Sequence, residues 1–587
     1  MATPTFRRDA AAGAVAGLIG GLVFVWAQQA QGMRAAVGGL AGVTSLGAGL
    51  ILHLGVSALI GAAFGAIFRY QPQGYAPTIS SGVLYGLVWW IIGPLSIVPA
   101  VLGRGPTWSV KDANAALPSL IGHVLFGALT GLWYHVLIAL SVRRAPTAAP
   151  AQIPAPAAHV LILGGGFGGV SLAQRLEQIF ARDPAVEITL VSQSNYLLFT
   201  PMLAEVAGSG LEPQHISAPV RAALVRTRFR RAEVERIDIA AQSVVLRSGS
   251  TVLETVPYDH LALALGSVPN YHGLPGLETH SFTLKTLQDA TALRNHVIAM
   301  LEQADVEPEM DERRRMLSFV VAGGGFAGTE MIAELFDLVH GVRHFYPNIH
   351  AADLRFALVH SGDRILPEIS PELAGYALKK LETRGIEFLL GARVAGATAD
   401  AVRLTGGQEI STRTLVWTAG NQPHPLLRTL PCERNRAGAV ITEGTLQIKG
   451  FANAWAVGDC AEIPDLLNAG KMLPPTAQHA LREGRAVADN IAALLRGRRP
   501  APFRFRTIGT LVALGHRTAV AEIRGFKFSG LLAWLMWRTV YLAKLPGLEK
   551  QVRVALDWTI DLFFPRDIAL TVSAPTLGQT ADHEGDP

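Results

Sequence analysis

The chain has 587 residues, of which 50% are hydrophobic and only 17% are charged, and its formal net charge is +5. Its mean hydropathy is +0.30, which is high for a soluble enzyme and indicates a membrane part joined to a globular part. The mild basic excess suits an anionic membrane surface, and the sequence has no basic run with interleaved aromatics of the kind that binds nucleic acid.

Four apolar stretches come first in the chain. Each is near or above the length of about 20 residues that a helix needs to cross a bilayer. Their interiors contain no Asp, Glu, Lys or Arg, and no signal-peptide cleavage region follows the first of them. The stretches lie at 10–27, 46–68, 79–102 and 119–140. We therefore predict an all-α, four-helix transmembrane bundle over residues 1–142.

This region resembles a duplicated helical hairpin. The segment HLGVSALIG at 53–61 is similar to HVLFGALTG at 123–131, and each follows a helix with two glycines four residues apart. Such glycines let helices approach closely. His53 and His123 occupy matching places in the two repeats. Paired histidines inside a membrane bundle are able to ligate a haem, but duplication explains the match without a metal, so we favour hydrogen-bonded side chains and expect no metal site.

An even number of spans places both ends of the bundle on one side of the membrane. Basic residues favour that side modestly, which predicts a multi-pass protein of the inner (cytoplasmic) membrane whose catalytic part faces the cytoplasm. The inner set is Arg7, Arg8, Arg69, Arg143 and Arg144, and the outer set is Arg34, Arg104 and Lys111. Residues 143–158, RRAPTAAPAQIPAPAA, are rich in alanine and proline and predict a semi-extended linker.

Two glycine-rich turns then follow apolar strands, and each turn opens a helix. The first is GGGFGG at 164–169, and the second is GGGFAGTE at 323–330. In each, one glycine permits the tight turn, the next lets the backbone approach a pyrophosphate, and the third lets the helix pack on the strand. The cradle residues are Gly164, Gly166, Phe167, Gly168 and Gly169 in the first turn and Gly323, Gly325, Phe326 and Gly328 in the second.

Two such turns, each in a strand–turn–helix–strand context, predict two dinucleotide sites. The economical pair is a permanently held flavin adenine dinucleotide (FAD) and a visiting nicotinamide cofactor. Hydride would then pass from the nicotinamide to the flavin, and electrons would leave the flavin for another acceptor.

From residue 159 onward the chain resembles the type II NADH:quinone oxidoreductases, a branch of the two-dinucleotide flavoprotein reductases. Besides the two turns, four segments carry the resemblance. They are NYLLFTPMLAEVAGSGLEP at 195–213, TAGNQPHP at 418–425, VGDCAEIP at 457–464 and PPTAQHALREG at 474–484. The N-terminal helices lie outside the usual family pattern and are an extra module.

The resemblance implies an α/β flavoprotein with two Rossmann domains, preceded here by the transmembrane bundle. It also implies site residues. Glu330 would lie by the nicotinamide, and Asp459 would bind the ribityl–phosphate part of FAD, although an acidic residue that caps a helix is a plain alternative for Asp459. The implied cofactor contacts beyond the turns are Ser192, Thr200, Pro201, Glu330, His360, Gly420, Gly458, Asp459, Ala477 and Gln478, and the implied catalytic residues are Glu330, Gln478 and Arg482.

The same resemblance divides the chain into domains. The expected parts are the bundle at 1–142, the linker at 143–158, the FAD domain at 159–282 and 410–498, the NAD(P)H domain at 283–409, and a membrane-associating C-terminal region with a tail at 499–587. Within the last part, residues 525–550 predict an amphipathic helix in the membrane interface, against the alternative of a core-packing helix. Residues 575–587 are expected to form a loose tail.

Three positions depart from the family pattern. Ser192 stands where an acid normally accepts from the ribose of FAD. His360 stands where a glutamate normally binds the 2′-hydroxyl of NADH, and Ser361 and Arg364 follow it. Losing that carboxylate removes the discrimination against NADPH, so NADH is the first choice and NADPH stays open. Arg482 replaces a glutamine of the quinone segment, where it is still able to donate to a quinone carbonyl; a different acceptor is the alternative.

The predicted activity is a membrane-bound, FAD-dependent NAD(P)H dehydrogenase that reduces a membrane quinone without pumping protons. Its predicted partners are the quinone and the lipid bilayer, and a homodimer stays open. Alternatives are electron delivery from FAD to a haem in the bundle, and a membrane-tethered redox sensor. A sulfide:quinone oxidoreductase would need redox cysteines beside the flavin, and Cys432 and Cys460 are too few and poorly placed.

Overall fold

The computed structural model describes residues 6–30, 46–69, 75–101, 103, 110–143, 158–249 and 252–570. These residues separate into two compact units, the N-terminal helices and an α/β body, which we describe one after the other. The predicted linker, apart from its two end residues, and the predicted tail at 575–587 lie outside the described residues. So do Arg34, Arg104 and Arg144 of the predicted charge bias.

All four predicted apolar stretches are helical. By length and composition, four helical segments are able to cross a membrane, and these segments are Phe6–Val25, Gly47–Phe68, Ser81–Ala100 and Ser119–Ser141. A π-helical turn at Gly93–Ile97, with a proline near its start, interrupts the third stretch. The helices are α1 Phe6–Ala30, α2 Leu46–Phe68, α3 Tyr75–Ile92, α4 Val98–Val101 and α5 Val110–Arg143.

Glycines set the close approach of these helices. A Cβ added to Gly13 of α1 would lie 2.2 Å from the carbonyl oxygen of Gly61 on α2. A Cβ added to Gly82 of α3 would lie 2.0 Å from the carbonyl oxygen of Gly127 on α5. In both hairpins the helices therefore pack backbone against backbone through facing glycines, as the repeated glycines predict.

Helix α1 begins earlier than its apolar stretch suggests, and it brings a carboxylate into the helix packing. Asp9 is 1% exposed, accepts a hydrogen bond from the hydroxyl of Tyr134 at 2.9 Å and pairs with Arg8 at 3.3 Å. These two contacts supply the polar partners that a carboxyl group buried among apolar helices needs.

The two repeat histidines each bond to a backbone carbonyl. His53 Nε2 donates to the oxygen of Gly21 at 3.2 Å, and His123 Nδ1 donates to the oxygen of Ser119 at 2.7 Å. The ring of Phe24 packs against both imidazoles, with centroids 5.4 and 4.9 Å away. Because His53 already uses the nitrogen that normally ligates haem iron, this arrangement favours hydrogen-bonded side chains over paired haem ligands.

The α/β body is built on two parallel sheets. The first has the strand order β20-β9-β1-β2-β5, and the second has the order β13-β12-β11-β17. The strands are β1 Ala158–Leu163, β2 Val186–Ser192, β3 Tyr196–Leu198, β4 Ser217–Pro219, β5 Arg228–Arg231, β6 Glu233–Asp238, β7 Ser243–Ser248, β8 Val252–Pro257, β9 His260–Leu263, β10 Ser267–Pro269, β11 Ser318–Ala322, β12 Arg355–His360, β13 Ile386–Leu390, β14 Val394–Ala397, β15 Ala401–Leu404, β16 Glu409–Ser411, β17 Thr414–Trp417, β18 Asn421–Pro423, β19 Val440–Ile441, β20 Ala454–Ala456, β21 Ala461–Glu462, β22 Gly509–Ala513, β23 Ala519–Ile523 and β24 Phe526–Ser529.

The central strands are apolar because helices cover both faces of a parallel sheet. Every residue of β11 is buried, and five of the six residues of β1 are buried. The helices of the body are α6 Phe167–Ile179, α7 Leu203–Ala207, α8 Val220–Ala223, α9 Leu277–His280, α10 Leu287–Val306, α11 Met310–Met316, α12 Phe326–Val342, α13 Pro371–Glu382, α14 Ala477–Leu495, α15 Gly530–Lys544 and α16 Leu548–Ile560.

The chain crosses between the two sheets twice. Strands β10 and β18 carry the outward and return crossings and pair antiparallel, with Val268 opposite Gln422. After the return, β20 joins the first sheet beside β9. The first sheet is therefore assembled from two distant parts of the chain, and the second sheet lies between them in sequence.

The C-terminal part of the body is an antiparallel sheet, β22-β23-β24, followed by α15 and α16. Ala533 and Trp537 of α15 are buried in the core that α12 and β11 also line. Leu531, Leu532 and Leu535 of the same helix are 56%, 57% and 50% exposed. Helix α15 thus packs one face on the protein and leaves an apolar face outside.

We predict that Gly61→Leu destabilises the protein, because any side chain at Gly61 meets the backbone of α1 at 2.3 Å. Overpacking of this kind costs about 1–3 kcal/mol. Gly55→Leu on the same helix is the matched control, since a Cβ there has no atom within 4 Å. Thermal unfolding in detergent should show a lower midpoint for Gly61→Leu and an unchanged one for Gly55→Leu. Equal midpoints would show that the glycines do not set the helix spacing.

Candidate functional site

The first glycine turn lies at the carboxyl end of β1. Gly164 has a φ of +115°, and a Cβ there would lie 2.0 Å from the carbonyl oxygen of Ala264. A Cβ on Gly169 would lie 1.9 Å from the carbonyl oxygen of Gly164. Gly166 is the N-cap of α6, and a Cβ added to it would have no atom within 4 Å. No side chain caps this helix. The free N–H groups and the open space fit a diphosphate.

The second turn repeats this geometry at the carboxyl end of β11. Gly323 has a φ of +118°, and a Cβ on Gly328 would lie 1.9 Å from the carbonyl oxygen of Gly323. Gly325 is the uncapped N-cap of α12, and its backbone angles match those of Gly166. The two turns are thus equivalent cradles, each suited to a dinucleotide.

Ser192 and His360 occupy corresponding places beside the cradles. A Cβ on Gly165 would lie 2.7 Å from the hydroxyl of Ser192, and one on Gly324 would lie 2.7 Å from the ring of His360. The N–H of Gly324 donates to Nδ1 of His360 at 3.1 Å. Because Nδ1 accepts this bond, the neutral ring presents Nε2 as its donor. Arg364 instead donates to the carbonyl oxygen of Pro367 at 2.9 Å.

Asp459 lies at the same edge of the first sheet as the first cradle. It sits in the short helical turn Gly458–Cys460 that follows β20, and its Oδ2 accepts from the hydroxyl of Ser267 at 2.6 Å. Glu483 of α14 supports this turn, because its Oε2 accepts from the N–H of Gly458 at 2.8 Å. Burial raises the pKa of Glu483 to about 7.

Helix α14 carries Ala477, Gln478 and Arg482 past α6. A Cβ on Gly484 would lie 2.3 Å from the carbonyl oxygen of Gly168, so the helices cross in backbone contact. Arg482 Nη1 donates to the carbonyl oxygen of Gln478 at 2.7 Å, and its guanidinium lies 4.3 Å from the centre of the Phe505 ring. The guanidinium is therefore held on one face of the helix, one turn beyond Gln478.

Thr200 and Pro201 form a short helical turn after Phe199. The ring of Phe199 contacts that of Phe167, the first residue of α6, at 5.9 Å. This contact places the segment beside the first cradle. Gly420 instead marks the return crossing, since its carbonyl oxygen accepts from the N–H of Asn270 at 3.0 Å.

Glu330 faces the C-terminal sheet from the second turn of α12. Its Oε1 accepts from the N–H of Ala513 at 3.1 Å, and burial raises its pKa to about 8. Glu205 lies in the same interior, where its Oε2 accepts from the indole N–H of Trp558 at 3.1 Å and where burial likewise raises its pKa to about 8. Glu334 pairs with Arg566 at 2.9 Å. Burial therefore favours the protonated form of both Glu330 and Glu205.

Strand β22 connects the two predicted catalytic regions. Gln478 Nε2 donates to the carbonyl oxygen of Gly509 at one end at 3.4 Å, and Glu330 bonds to Ala513 at the other end. Helix α15 runs past both regions: burial and then Glu330 raise the pKa of Tyr541, and burial and then Arg482 lower the pKa of Lys544. The structure thus gathers Glu330, Gln478 and Arg482 around one C-terminal layer, although they do not touch each other's side chains in any contact described.

The two cysteines have the character of packing residues. Cys460 is buried, donates to the carbonyl oxygens of Val457 and Leu263 at 3.2 and 3.4 Å, and has a pKa that burial raises to about 11. Burial also raises the pKa of Cys432. Both are free thiols, so neither resembles an activated redox cysteine.

Sequence reasoning did not single out Ser267, Glu483, Glu205 and Tyr541. Glu483 lies inside the quinone segment, so its proximity to the site was available from the resemblance. Ser267 lies 192 residues from Asp459, and no local pattern connects them. Their roles depend on the tertiary packing alone.

Known protein families match both the two-sheet part of the α/β body and its C-terminal part. The family model "Pyridine nucleotide-disulphide oxidoreductase" matches residues 158–484, and "NDH2 C-terminal domain" matches residues 508–567. The chain is 30% identical over 450 residues to "Type II NADH:quinone oxidoreductase Ndh" of Mycobacterium tuberculosis, covering 74% of this chain and 93% of that relative. It is 34% identical over 407 residues to "Demethylphylloquinone reductase NdbB" of Synechocystis sp., covering 68% and 95%.

A solved structure shares the fold. The structure of NDH2 from Plasmodium falciparum in complex with NADH matches with a TM-score of 0.66 at 19% identity, covering 70% of this chain and all of that one. The predicted two-Rossmann flavoprotein fold is confirmed, and so are the predicted cofactors FAD and NADH. The two cradles fit these two dinucleotides, since each leaves an uncapped helix start at the required place; the first is open around Gly166, and Glu368 Oε1 lies 3.4 Å from a Cβ on Gly325 in the second.

We predict that Gly166→Ala folds normally but binds FAD about tenfold more weakly, a loss of ~1.4 kcal/mol, because its added methyl group meets no protein atom and occupies the space for the diphosphate. Gly325→Ala is the matched variant in the second cradle. It should keep its FAD and raise the KM for NADH instead. Flavin content and steady-state kinetics distinguish the two. Normal FAD content and normal KM in both variants would contradict the assignment of the cradles.

Proposed function

The chain belongs to the type II NADH:quinone oxidoreductases, and we propose that it is a membrane-bound member that passes two electrons from NADH through FAD to a membrane quinone without pumping protons. It is an FAD-dependent NADH dehydrogenase by family. The observation that carries the proposal is the pair of equivalent cradles at the carboxyl ends of β1 and β11, joined by one C-terminal layer. The predicted domain order is kept as part of the proposal, with the return to the FAD domain placed after β17 and not at 410, because β17 pairs with β11 of the second sheet.

Bound FAD supplies the redox chemistry by accepting a hydride from NADH and giving two electrons to the acceptor. The chain's own residues position the reactants. Asp459 holds the ribityl–phosphate part of FAD at the edge of the first sheet, and the start of α12 binds the diphosphate of NADH. Glu330 holds a proton beside the C-terminal layer at neutral pH, and Gln478 and Arg482 donate hydrogen bonds to the quinone carbonyl.

The acceptor is proposed to be a lipid-soluble quinone because α15, which packs beside the proposed site, also exposes an apolar face. Helix α15 exposes Leu531, Leu532 and Leu535 on one face while Tyr541 packs inward against Phe199, with ring centroids 6.1 Å apart. An exposed apolar face of this kind lies in the membrane interface. The names of the relatives from M. tuberculosis and Synechocystis sp. each include a quinone substrate.

The N-terminal helices are proposed to form a four-helix transmembrane bundle that anchors the enzyme, with the catalytic part facing the cytoplasm. Their spans are long and apolar enough, and they pack through glycines. The buried carboxyl group of Asp9 accepts a hydrogen bond from the hydroxyl of Tyr134, and this contact joins α1 to α5. The homodimer stays an open prediction.

NADH is proposed as the preferred donor over NADPH. His360 stands where a carboxylate would repel a 2′-phosphate, so this position itself does not select NADH. The guanidinium of Arg364 is directed to backbone carbonyls and not toward that position. The histidine thus weakens the selection for NADH, and the engagement of Arg364 and the NADH in the name of the M. tuberculosis relative support it.

The direct test is a steady-state assay of purified protein with NADH and NADPH against a short-chain quinone, after an absorption spectrum. We expect a flavin spectrum without a Soret band, and faster turnover with NADH. In proteoliposomes, a pH-sensitive dye should record no proton transfer across the membrane during turnover. A Soret band that NADH reduces would favour electron delivery to a haem, and flavin reduction that no quinone reverses would favour a redox sensor.

We predict that His360→Glu lowers kcat/KM for NADPH by about tenfold or more and leaves that for NADH within about twofold, because a carboxylate repels the 2′-phosphate and accepts from the 2′-hydroxyl. Glu372→Gln, at an exposed site on α13, is the control. An unchanged NADH-to-NADPH ratio in His360→Glu would mean that the ribose does not reach this position.

We also predict that the reoxidation of reduced flavin by quinone slows above about pH 8. Burial raises the pKa of Glu330, so the carboxyl group holds its proton below that pH and loses it above. Glu330→Gln cannot transfer a proton and should react ~10²-fold more slowly, with a flatter pH profile. Stopped-flow absorbance measures both, and a wild-type profile that stays flat from pH 6 to 10 would refute this role.

A further inference from the structure

A lysine outside the predicted site is linked to Asp459 through one serine. The Nζ of Lys285 donates to the hydroxyl of Ser267 at 2.9 Å, and that hydroxyl donates to Oδ2 of Asp459 at 2.6 Å. Nζ itself lies 4.0 Å from the same carboxylate oxygen. Lysine, serine and aspartate thus form a continuous chain of polar contacts that ends at the edge of the first sheet.

The backbone around Lys285 is fixed. Its own N–H donates to Oδ2 of Asp289 at 2.9 Å, and Thr286 and Asp289 form the capping box that begins α10. The side chain of Lys285 is 28% exposed, so most of it is removed from water. Burial lowers the pKa of Lys285, while Asp459 and Asp289 raise it. A flexible surface lysine would have neither this fixed backbone nor these charged partners.

A positive charge beside Asp459 has a physical role if FAD is bound there. Asp459 lies at the same sheet edge as the first cradle, where the diphosphate of FAD belongs. The carboxylate and the diphosphate repel each other in a partly desolvated place, and a nearby lysine offsets that repulsion.

The lysine reaches Asp459 from the other side of the crossing. Phe282, three residues before it, pairs with Val416 of β17 in the second sheet. Ser267 belongs to β10, which carries the outward crossing. The contact therefore ties the entry into the second sheet to the cofactor edge of the first sheet.

We propose that Lys285 is a positioning residue for FAD, which through Ser267 holds the carboxylate of Asp459 directed toward the first cradle. The inference rests on the proposed contact between Asp459 and FAD. It assigns to Lys285 no contact with the reacting atoms and no part in the transfer of hydride.

The test is the rate of FAD release from the purified holoenzyme, followed by the rise in flavin fluorescence on dilution into a mild chaotrope. The variants are Lys285→Met, Lys285→Arg, Ser267→Ala, Asp459→Asn and the double variant Lys285→Met/Asp459→Asn. Lys449→Met is the control, because Lys449 makes an equivalent ion pair with Glu433 at 2.8 Å at an exposed site. Thermal unfolding of each holoenzyme shows that the variants are folded.

Loss of a charge-assisted contact of this kind predicts that Lys285→Met releases FAD about tenfold faster. Ser267→Ala should act in the same direction, Lys285→Arg should restore slow release, and Lys449→Met should match the wild type. In the Asp459→Asn background, Lys285→Met should add less than about twofold, because the carboxylate that Lys285 contacts through Ser267 is gone.

Two outcomes separate this inference from its premise. If Asp459→Asn releases FAD at the wild-type rate, the proposed contact of Asp459 with FAD is wrong, and the role of Lys285 falls with it. If Asp459→Asn accelerates release and Lys285→Met does not, the FAD contact stands and this inference alone is overturned. Fully multiplicative effects in the double variant would also overturn it, since they would show that Lys285 acts independently of Asp459.

Discussion

The structure depends on one constraint, the close approach of a helix start to a diphosphate at the end of a buried parallel strand. The constraint requires a left-handed residue at Gly164 and Gly323, and it leaves no room for a side chain at Gly169 and Gly328. The chain meets this constraint at two glycine turns, and the arrangement of the rest of the body follows from that. Two parallel sheets present their carboxyl edges to two nucleotides, and the chain must cross between the sheets and return.

The return crossing explains why residues far from the first cradle in sequence lie beside it in the proposed site. Asp459 follows a strand that joins the first sheet only after the second is complete. Helix α14 then passes over α6 at Gly484, which places Gln478 and Arg482 beside the first cradle. Strand β22 finally lies against Glu330 and near Gln478, so the C-terminal layer closes the region between the cradles. Electron transfer needs this shared region, because the donor and acceptor must both reach the flavin.

Local features could be predicted from the sequence because short-range rules determine them. The glycine turns, the apolar strands before them and the four apolar helices all belong to this class. Long-range partners could not be predicted in this way. Asp9 lies outside the predicted apolar stretch, and its acceptance into the helix packing depends on Tyr134, 125 residues away. For the repeat histidines, the sequence favours hydrogen-bonded side chains but does not reveal the partners, which are the backbone carbonyls of Gly21 and Ser119.

The central claim is that one chain holds FAD and a nicotinamide nucleotide together and passes electrons onward to a quinone. The most direct measurement is an anaerobic titration of the purified protein with NADH, followed at the flavin absorption band. The account predicts that about one equivalent of NADH bleaches the band, and that a short-chain quinone then restores it, as expected when FAD carries a two-electron transfer. A protein without a flavin band, or a bleached band that quinone fails to restore, would contradict it.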